Sequence, residues 1–282
     1  MGRGNRHHLD AVDDESFALD AYLDRIGARP DAGLAGVHRA HVTAIPFENL
    51  DPHRGVPVSL ALGDLQRKLV DERRGGYCFE HNLLLAAGLR ALGAEVEPML
   101  ARVRLGRPRD APGPRTHLVL RVRAGGAVWL ADAGFGNGTL LEPIPFGPGA
   151  EYEQEGWRFR VVRDGVEHVL QTADGARWSD VYGFVPEPVP AIDIETSNWF
   201  TCTHPRSPFV AGLIIAVNRS DGTRVALSDW NGLSLITRTP AQSTPSEIDR
   251  AEIPRLLEEI FGLPGFALGD NGRVTRRNAH SE

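Results

Sequence analysis

A cysteine, a histidine and an aspartate lie along this chain in an order that suits nucleophilic catalysis. Cys78 lies in RRGGYCFEHN, residues 73–82, between a glycine pair and an apolar pattern with helical spacing. We expect Gly75 and Gly76 to adopt backbone angles that other residues avoid, so that the chain turns sharply into a helix. Cys78 would then lie in the first helical turn, where unpaired amides and the helix dipole stabilise a thiolate. Most free cysteines are simply small packed residues, so the assignment depends on a neighbouring base.

His117 is the candidate base, and Asp132 is the candidate group that orients it. The segment THLVLRVRAGGAVWLADAGFG, residues 116–136, has the pattern of a β-hairpin. With residues 124–127 as the loop, the two side chains are diagonal neighbours, and with a tighter loop they face each other directly. Either register places them on one face of the hairpin, roughly 5 to 8 Å apart. Taken singly, the histidine could be a satisfied core residue and the aspartate a turn residue.

Together the three residues predict a nucleophilic thiol whose proton passes to an imidazole that a carboxylate orients. This chemistry proceeds through a thioester and ends in acyl transfer or in hydrolysis. Acyltransferases use it, and so do papain-like and transglutaminase-like enzymes. The residues of the triad do not specify the acceptor, so both outcomes stay open at this point.

The elements that must position these residues change type along the chain. Apolar residues recur with helical spacing up to about residue 92, including a helix predicted from Ser59, a plausible N-cap, to the glycine pair. Short alternating segments separated by glycine or proline follow, which indicates an antiparallel barrel or sandwich. Prolines crowd residues 186–190, a candidate linker. The last third combines strands with a closing helix, SEIDRAEIPRLLEEIFGL at 246–263.

Composition excludes several classes of function. The chain has 282 residues and a net charge of −6, which argues against nucleic acid as the main partner. It contains no run of about 18 uncharged apolar residues, and its start lacks the apolar core of a signal peptide. Two distant cysteines indicate neither a disulfide framework nor a metal site, so we expect a cytoplasmic protein without a metal. Seven arginines between 102 and 123 favour an anionic ligand. They are the residues at 102, 104, 107, 109, 115, 121 and 123.

Several motifs resemble those of the arylamine N-acetyltransferase family. RGGYCFEHN at 74–82 resembles the RGGxCxExN signature of that family, with Cys78 in the nucleophile position. Four further segments resemble family motifs and follow in the family's order: IPFENLD at 45–51, THL at 116–118, DAGFG at 132–136 and NWFTCTHPRSPF at 198–209. The resemblance covers residues 45 to 210 in detail and the remainder in outline.

The resemblance implies an α+β fold with a cysteine-protease-like Cys-His-Asp core. An N-terminal helical bundle carrying the nucleophile would span 1–92, an antiparallel β-barrel carrying His117 and Asp132 would span 93–193, and an α/β lid would span 194–282. It implies ping-pong acetyl transfer from acetyl-CoA through an acetyl-cysteine to arylamines, arylhydrazines or N-hydroxyarylamines. By motif position, four residues would lie along the cofactor and acceptor cleft: Gly134, Phe135, Gly136 and Phe209.

Three other functions remain as alternatives. An amide synthase of the same fold would close a macrolactam from a carrier-bound acyl chain, with the same triad. A cysteine hydrolase would cleave amides without CoA. A non-enzymatic binding module would leave Cys78 no more reactive than a free thiol.

Two residues depart from the family pattern. His81 stands where glutamine is common and Cys202 where serine is common. We expect His81 to hydrogen-bond the backbone rather than to perturb the thiolate, and Cys202 to be a small packed residue. Glu80 and Asn82 are expected to cap or support the start of the helix.

Overall fold

The computed structural model describes residues 17–108, 111–230 and 232–277. Within these ranges the chain forms a helical part, an eight-stranded antiparallel sheet and a mixed part of strands and helices, in that order. The predicted α+β fold is confirmed. The start of the chain, residues 1–16, and Arg109 of the arginine-rich segment lie outside the described residues.

The described portion of the N-terminal part consists mainly of α-helices. They are α1 Leu19–Ile26, α2 Gly33–Ala44, α3 Leu50–His53, α4 Leu62–Leu65 and α5 Cys78–Ala91. Helix α1 ends at Gly27, which has φ 68° and closes the helix in the left-handed conformation. Apolar residues of α1, α2 and α5 share one core with Leu120 and Ala131 of the sheet. Helix α5 is therefore buried between the rest of the helical part and the sheet.

The helix predicted from Ser59 begins later than expected. Ser59 Oγ accepts the backbone N–H of Ala61 in the turn before α4, and Ala61 is the N-cap. After α4 the chain continues as a π-helical segment, Gln66–Asp71. The prediction of Ser59 as the N-cap was wrong because its hydroxyl stabilises the preceding turn instead.

The central part is a nearly closed antiparallel barrel. Its strands are β2 Glu95–Val103, β3 His117–Ala124, β4 Ala127–Ala131, β5 Ile144–Pro145, β6 Tyr152–Gln154, β7 Trp157–Asp164, β8 Glu167–Asp174 and β9 Arg177–Phe184. They pair in the order β5-β4-β3-β2-β9-β8-β7-β6. The barrel thus places β3 and β4 side by side.

The β3–β4 hairpin has the first of the two predicted registers. Arg123 pairs with Val128 and Ala124 with Ala127, around a turn at Gly125 and Gly126. Both glycines have positive φ, 60° and 77°, as a two-residue hairpin turn with a right-handed strand twist requires. The tighter loop is excluded. His117 at the start of β3 therefore lies diagonally opposite the residue that follows β4, which is Asp132.

The C-terminal part, called the lid below, contains a second antiparallel sheet. Its elements are α6 Ala191–Thr203, α7 Pro208–Ala211, β10 Ile214–Asn218, β11 Arg224–Ser228, β12 Ser234–Arg238, β13 Ser243–Glu247, α8 Ile253–Glu259, β14 Phe266–Leu268 and β15 Val274–Arg276. The sheet order is β1-β10-β11-β12-β13, where β1 is Phe47–Glu48 of the N-terminal part. Phe47 pairs with Ala216, so the IPFENLD motif joins the lid directly.

The closing helix is shorter than predicted. Ser246 belongs to β13 and pairs with Leu235 instead of starting a helix. Asp249 accepts the backbone N–H of Ala251 at 2.8 Å and begins a 3₁₀ turn that leads into α8. The capping carboxylate, rather than the apolar pattern, sets the start of this helix.

The three-part division stays a prediction. The expected boundary at 193 and 194 falls inside α6, which follows the proline-rich segment 186–190. The helical and barrel parts meet between α5 and β2, near the expected boundary at 92 and 93.

Candidate active site

Cys78 is the first residue of α5 and is buried. Oε2 of Glu80 accepts the backbone N–H of Tyr77 at 3.0 Å, so the expected capping role of Glu80 is confirmed. The glycine pair before it acts differently from the prediction, because neither glycine has a positive φ. A Cβ on Gly75 would lie 2.0 Å from the backbone oxygen of Pro46, and one on Gly76 would meet Glu80. The glycines are needed for close packing, not for unusual backbone angles.

A buried ionic network fixes the segment before Cys78. Lys68 Nζ lies 2.7 Å from Oδ2 of Asp51 and 2.7 Å from Oε1 of Glu80. Arg74 contacts Glu48 at 2.6 Å and Asp51 at 2.9 Å. Removal of one member would leave a buried charge without its partner, which costs about 3–5 kcal/mol in comparable cases. The network ties IPFENLD to the nucleophile helix.

His117 and Asp132 form a buried ion pair next to α5. Nε2 of His117 donates to Oδ2 of Asp132 at 2.8 Å. Burial alone would lower the pKa of His117, yet the pKa is raised to about 10, because the charge of Asp132 and hydrogen bonds to Asp132 and Cys78 favour the cation. Burial would likewise raise the pKa of Asp132, but the charge of His117 lowers it. The pair is therefore an imidazolium and a carboxylate.

The thiol of Cys78 meets the other side of the imidazole. Sγ of Cys78 donates to the backbone oxygen of Thr116 at 3.6 Å, and the nearby Cys78 side chain raises the pKa of His117. Because Nε2 is bound to Asp132, Nδ1 is the ring nitrogen left for the sulfur. The structure thus brings all three sequence-predicted residues together at one site.

Asn82 holds Asp132 from the nucleophile helix. Its Nδ2 donates to Oδ1 of Asp132 at 2.9 Å and to the backbone oxygen of Leu118. Its Oδ1 accepts the backbone N–H of Ala133 at 2.9 Å. The sequence predicted a supporting role for Asn82 but not this contact. The available signal is its spacing of four residues from Cys78, which places both on one face of the helix.

Gly134 allows the two halves of the site to approach each other. Its backbone N–H donates to Oδ1 of Asp132 at 2.9 Å. A Cβ at this position would lie 2.6 Å from Cα of Cys78 and 2.9 Å from Nδ2 of Asn82. Because backbone atoms of α5 cannot yield as a flexible side chain could, only glycine fits here.

His81 bonds the backbone, as expected from the sequence. Its Nε2 donates to the backbone oxygen of Pro46 at 3.2 Å, so Nδ1 accepts from Nε2 of His41 at 3.0 Å. The remaining nitrogen of His41 then accepts from the Tyr22 hydroxyl at 2.9 Å. Burial lowers the pKa of His81 to about 4, so the ring is neutral. Cys202 is buried among apolar residues of the same cluster as Cys78, consistent with a packed residue.

A cleft of about 1110 Å³ opens above the triad, between the barrel and the lid. All four residues predicted by motif position, Gly134, Phe135, Gly136 and Phe209, line it together with Cys78 and His117. The ring of Phe135 packs edge-on against His117 with 5.1 Å between centroids. The sequence did not indicate that Phe47 would line the cleft. Its ring centroid lies 6.1 Å from that of Phe209.

The cleft is positively charged although the chain is acidic overall. Among the described residues that line it, four are arginines, Arg107, Arg206, Arg224 and Arg238, and one is acidic, Asp174. Arg224 and Arg238 pair on β11 and β12, but their side chains differ. Arg224 is buried and donates to the backbone oxygens of Asn137 and Thr139, whereas Arg238 is exposed. Burial, followed by the charge of Arg238, lowers the pKa of Arg224 to about 9.

The predicted arginine-rich segment contributes little to this charge. Arg107 lines the cleft, but Arg104 pairs with Glu167 on the barrel surface and Arg121 pairs with Glu97. The anionic ligand that this segment favours stays a prediction. The lid supplies most of the arginines that line the cleft.

Residues 17–108, 111–230 and 232–277 hold no group of three or more potential metal ligands. No helix within them is both long enough and apolar enough to cross a membrane.

With this geometry the protein falls into the class of cysteine-dependent acyl-transfer enzymes. Comparisons with known proteins define the family within that class. An N-acetyltransferase family model matches residues 32–265. The chain belongs to the arylamine N-acetyltransferase family.

Three relatives illustrate the match. The arylamine N-acetyltransferase of Mycolicibacterium smegmatis is 41% identical over 261 residues, covering 89% of this chain and 93% of the relative. The arylamine N-acetyltransferase / N-hydroxyarylamine O-acetyltransferase of Salmonella typhimurium is 32% identical, covering 87% and 88%. The arylamine N-acetyltransferase of Mycobacterium marinum, solved in complex with CoA, superposes with a TM-score of 0.82 at 36% identity, covering 87% and 93%.

Proposed function

We propose that this protein moves an acetyl group from acetyl-CoA to arylamines, arylhydrazines or N-hydroxyarylamines by way of an acetylated Cys78. One observation carries the assignment of the residues. The buried His117 donates to Asp132 at 2.8 Å, and this carboxylate together with the nearby Cys78 raises the pKa of the imidazole to about 10, so the cation is favoured. A neighbouring imidazolium favours the thiolate, which is the nucleophilic form of cysteine.

In the first half-reaction the Cys78 thiolate attacks the acetyl carbonyl of acetyl-CoA. The backbone N–H of Cys78 lies at the first position of α5, where helical amides lack an intrahelical partner, and it is our candidate donor to the oxyanion. The carbon–sulfur bond to CoA then breaks, and His117 gives its proton to the departing CoA thiolate. Acetyl-Cys78 and a neutral imidazole remain.

In the second half-reaction the acceptor nitrogen, or the oxygen of an N-hydroxyarylamine, attacks the thioester. His117 takes the proton that this nucleophile loses, and the Cys78 thiolate leaves. Asp132 keeps the imidazole in one tautomer throughout and stabilises its cation. Arylamines are weak bases and are therefore neutral nucleophiles near pH 7, which suits a cleft lined by Phe47, Phe135 and Phe209.

The cleft fits the donor in size and charge. Its volume is at the upper end for small-molecule sites, as an extended thioester needs, and its arginines offset phosphate charge. We assign Gly134 and Gly136 to the wall along the pantetheine arm, because glycines allow a ligand to approach the backbone closely. Arg238, which is exposed and lines the cleft, is our candidate for the phosphate end.

The alternatives are less well supported. An amide synthase and a cysteine hydrolase share the triad, but the relatives that match nearly the whole chain are named arylamine N-acetyltransferases. A non-enzymatic binding module does not require a thiol next to a protonated imidazole. We place the reaction in the cytoplasm, where Cys78 stays reduced, with no nucleic acid partner.

Intact-protein mass spectrometry after incubation with acetyl-CoA tests the proposal. Wild-type protein should gain the mass of one acetyl group and lose it when an arylamine is added. Cys78→Ala should gain none. Cys202→Ala is the matched control, because it removes the other buried cysteine and should behave as wild type.

Stable acetylation of Cys78→Ala at the wild-type rate would refute the role of Cys78. If the acetyl-enzyme loses its acetyl group to water as fast as to an arylamine, the result would favour a hydrolase. Failure of the wild-type protein to accept acetyl from acetyl-CoA, together with acylation by a carrier-bound acyl chain, would favour the amide synthase.

A further inference from the structure

We propose that His38 is a positioning residue of the catalytic centre, because its neutral imidazole holds the backbone N–H of Asp132. In this way it sets the direction of the carboxylate that binds His117. The proposal rests on the proposed function of the triad. It concerns a residue that contacts neither substrate nor the reacting sulfur.

The hydrogen bonds of His38 define its tautomer. The ring is fully buried in α2, and its Nδ1 lies 3.0 Å from the backbone oxygen of Leu141. A carbonyl oxygen only accepts, so Nδ1 carries the hydrogen. Nε2 is then an acceptor, and it takes the backbone N–H of Asp132 at 3.2 Å. Both partners are backbone groups, so the neutral ring has one consistent arrangement.

The amide of Asp132 depends on this bond because it lies just beyond the sheet. Strand β4 ends at Ala131, whose pairing with Leu120 is the last of the β3–β4 ladder. The backbone oxygen of Asp132 is held separately by the Thr139 hydroxyl at 2.6 Å. His38 therefore supplies the acceptor that a further strand residue would otherwise supply, and it fixes the peptide plane from which the carboxylate extends.

The charges around His38 show what a second proton would do. Asp132 of the hairpin and Glu142 face the His38 ring and favour its protonation. A proton on His38 would in turn disfavour protonation of His41, which lies on the same helix. Burial outweighs the two carboxylates and lowers the pKa of His38 to about 4. A protonated ring would turn an N–H towards the N–H of Asp132, and the bond would be lost. Neutrality at working pH is thus a condition for the bond.

The competing explanation is that His38 only joins α2 to the barrel. Two isosteric variants separate the explanations. In His38→Gln the amide oxygen reaches the position of Nε2 and still accepts from Asp132. In His38→Asn the shorter amide reaches the position of Nδ1 and keeps the bond to Leu141 only. His38→Leu removes both bonds.

His41→Leu is the matched control. His41 is equally buried, lies three residues further along the same helix, and bonds Tyr22 and His81 rather than the triad. Steady-state kinetics with acetyl-CoA and an aniline, and an NMR titration of His117, should be recorded for all four variants together with their Tm.

We expect His38→Asn and His38→Leu to lower kcat on the order of 10-fold or more, as for a misplaced catalytic group, with KM for acetyl-CoA nearly unchanged. The pKa of His117 should fall in the same variants. His38→Gln should stay within about threefold of wild type, and so should His41→Leu despite a lower Tm.

Equal losses in His38→Gln and His38→Asn would overturn the proposal, and so would an unchanged pKa of His117 in His38→Leu. If the leucine variants fail to fold, the comparison of glutamine with asparagine still decides. Failure of the proposed function is a separate result, because wild type would then not turn over, whereas the titration of His117 would still report on its position.

Discussion

Two groups of buried histidines in this protein have opposite charge states. His117 is an imidazolium with its pKa raised to about 10, whereas His38 and His81 are neutral with their pKa values lowered to about 4. His41 belongs to the second group, because burial lowers its pKa, and the nearby His81, His38 and Arg25 also disfavour a second proton on its ring. All four rings are buried to nearly the same extent.

The partners, rather than the burial, account for the difference. His117 hydrogen-bonds a carboxylate, whereas the others hydrogen-bond backbone groups, a hydroxyl or another imidazole. A buried imidazole that hydrogen-bonds a carboxylate keeps its proton and can exchange it with a thiol. A buried imidazole that hydrogen-bonds only neutral groups instead serves as a rigid donor and acceptor. The protein thus uses one residue type for proton transfer and for framework.

Replacing the carboxylate of Asp132 should convert His117 from a protonated histidine into a neutral one. In Asp132→Asn we expect the pKa of His117 to fall below its ordinary value of about 6.5 and kcat to drop on the order of 10³-fold or more. Stopped-flow acetylation and an NMR titration of His117 measure the two effects. A change in rate under about threefold would show that Asp132 does not orient the imidazole.

Forcing α5 away from the β3–β4 hairpin should cause the next largest loss of activity. Gly134→Ala places a methyl group 2.6 Å from Cα of Cys78, so α5 and the hairpin must move apart. We expect a loss of kcat/KM on the order of 10²-fold. Gly147→Ala is the control, because a Cβ there meets nothing within 4 Å. Equal activity of the two variants would contradict the close contact.

The pH dependence of stability should distinguish the two groups. In Cys78→Ala, where no thiol shares the proton, the raised pKa of His117 adds stability that is full below about pH 6.5 and is lost as pH rises towards the folded-state pKa. The loss should approach about 1.4 kcal/mol per pH unit. Urea titrations of Cys78→Ala and of Cys78→Ala/Asp132→Asn should diverge in that window, and parallel curves would refute the ion pair.

The neutral histidines should change the pH dependence of stability in the opposite direction to His117. Their lowered pKa values mean that the unfolded chain binds more protons between about pH 4 and 6.5, so stability falls with acidification there.

His81→Gln should have the smallest effect on catalysis. His81 bonds Pro46 and His41 but no triad atom, and a glutamine amide offers the same kinds of donor and acceptor. We expect rates within about threefold of wild type and a shallower loss of stability in acid. A shift in the pH profile of Cys78 alkylation by iodoacetamide would instead show that His81 perturbs the thiolate.

The parts of the site that could be predicted from sequence are local or carry a motif. The two consecutive glycines predict the hairpin, and either of its two possible registers brings His117 near Asp132. The position of Cys78 at a helix start follows from its own neighbours. The pairing of Cys78 with His117 was inferred from residue types alone, because the packing of α5 against β3 that brings them together has no local signal in the sequence.

The parts that could not be predicted are contacts between distant elements. Nothing in the sequence around Gly75 indicates that the oxygen of Pro46 occupies the space of its side chain. The helical pattern of α2 marks its apolar face but does not show that His38 meets Asp132. The presence of Arg224 and Arg238 in the cleft could not be predicted, because the two residues come together only through strand pairing in the lid.

The pairing of Phe47 with Ala216 bears on how the chain can be shortened. Deletion of the last third would remove β10, the neighbour of β1 in the sheet, and would uncover apolar surface that Leu50 shares with β10 and α8. An exposed strand edge beside such a surface promotes aggregation. The N-terminal half is therefore not an autonomous folding unit. During synthesis the sheet that contains β1 can be completed only after the C-terminal residues have been made.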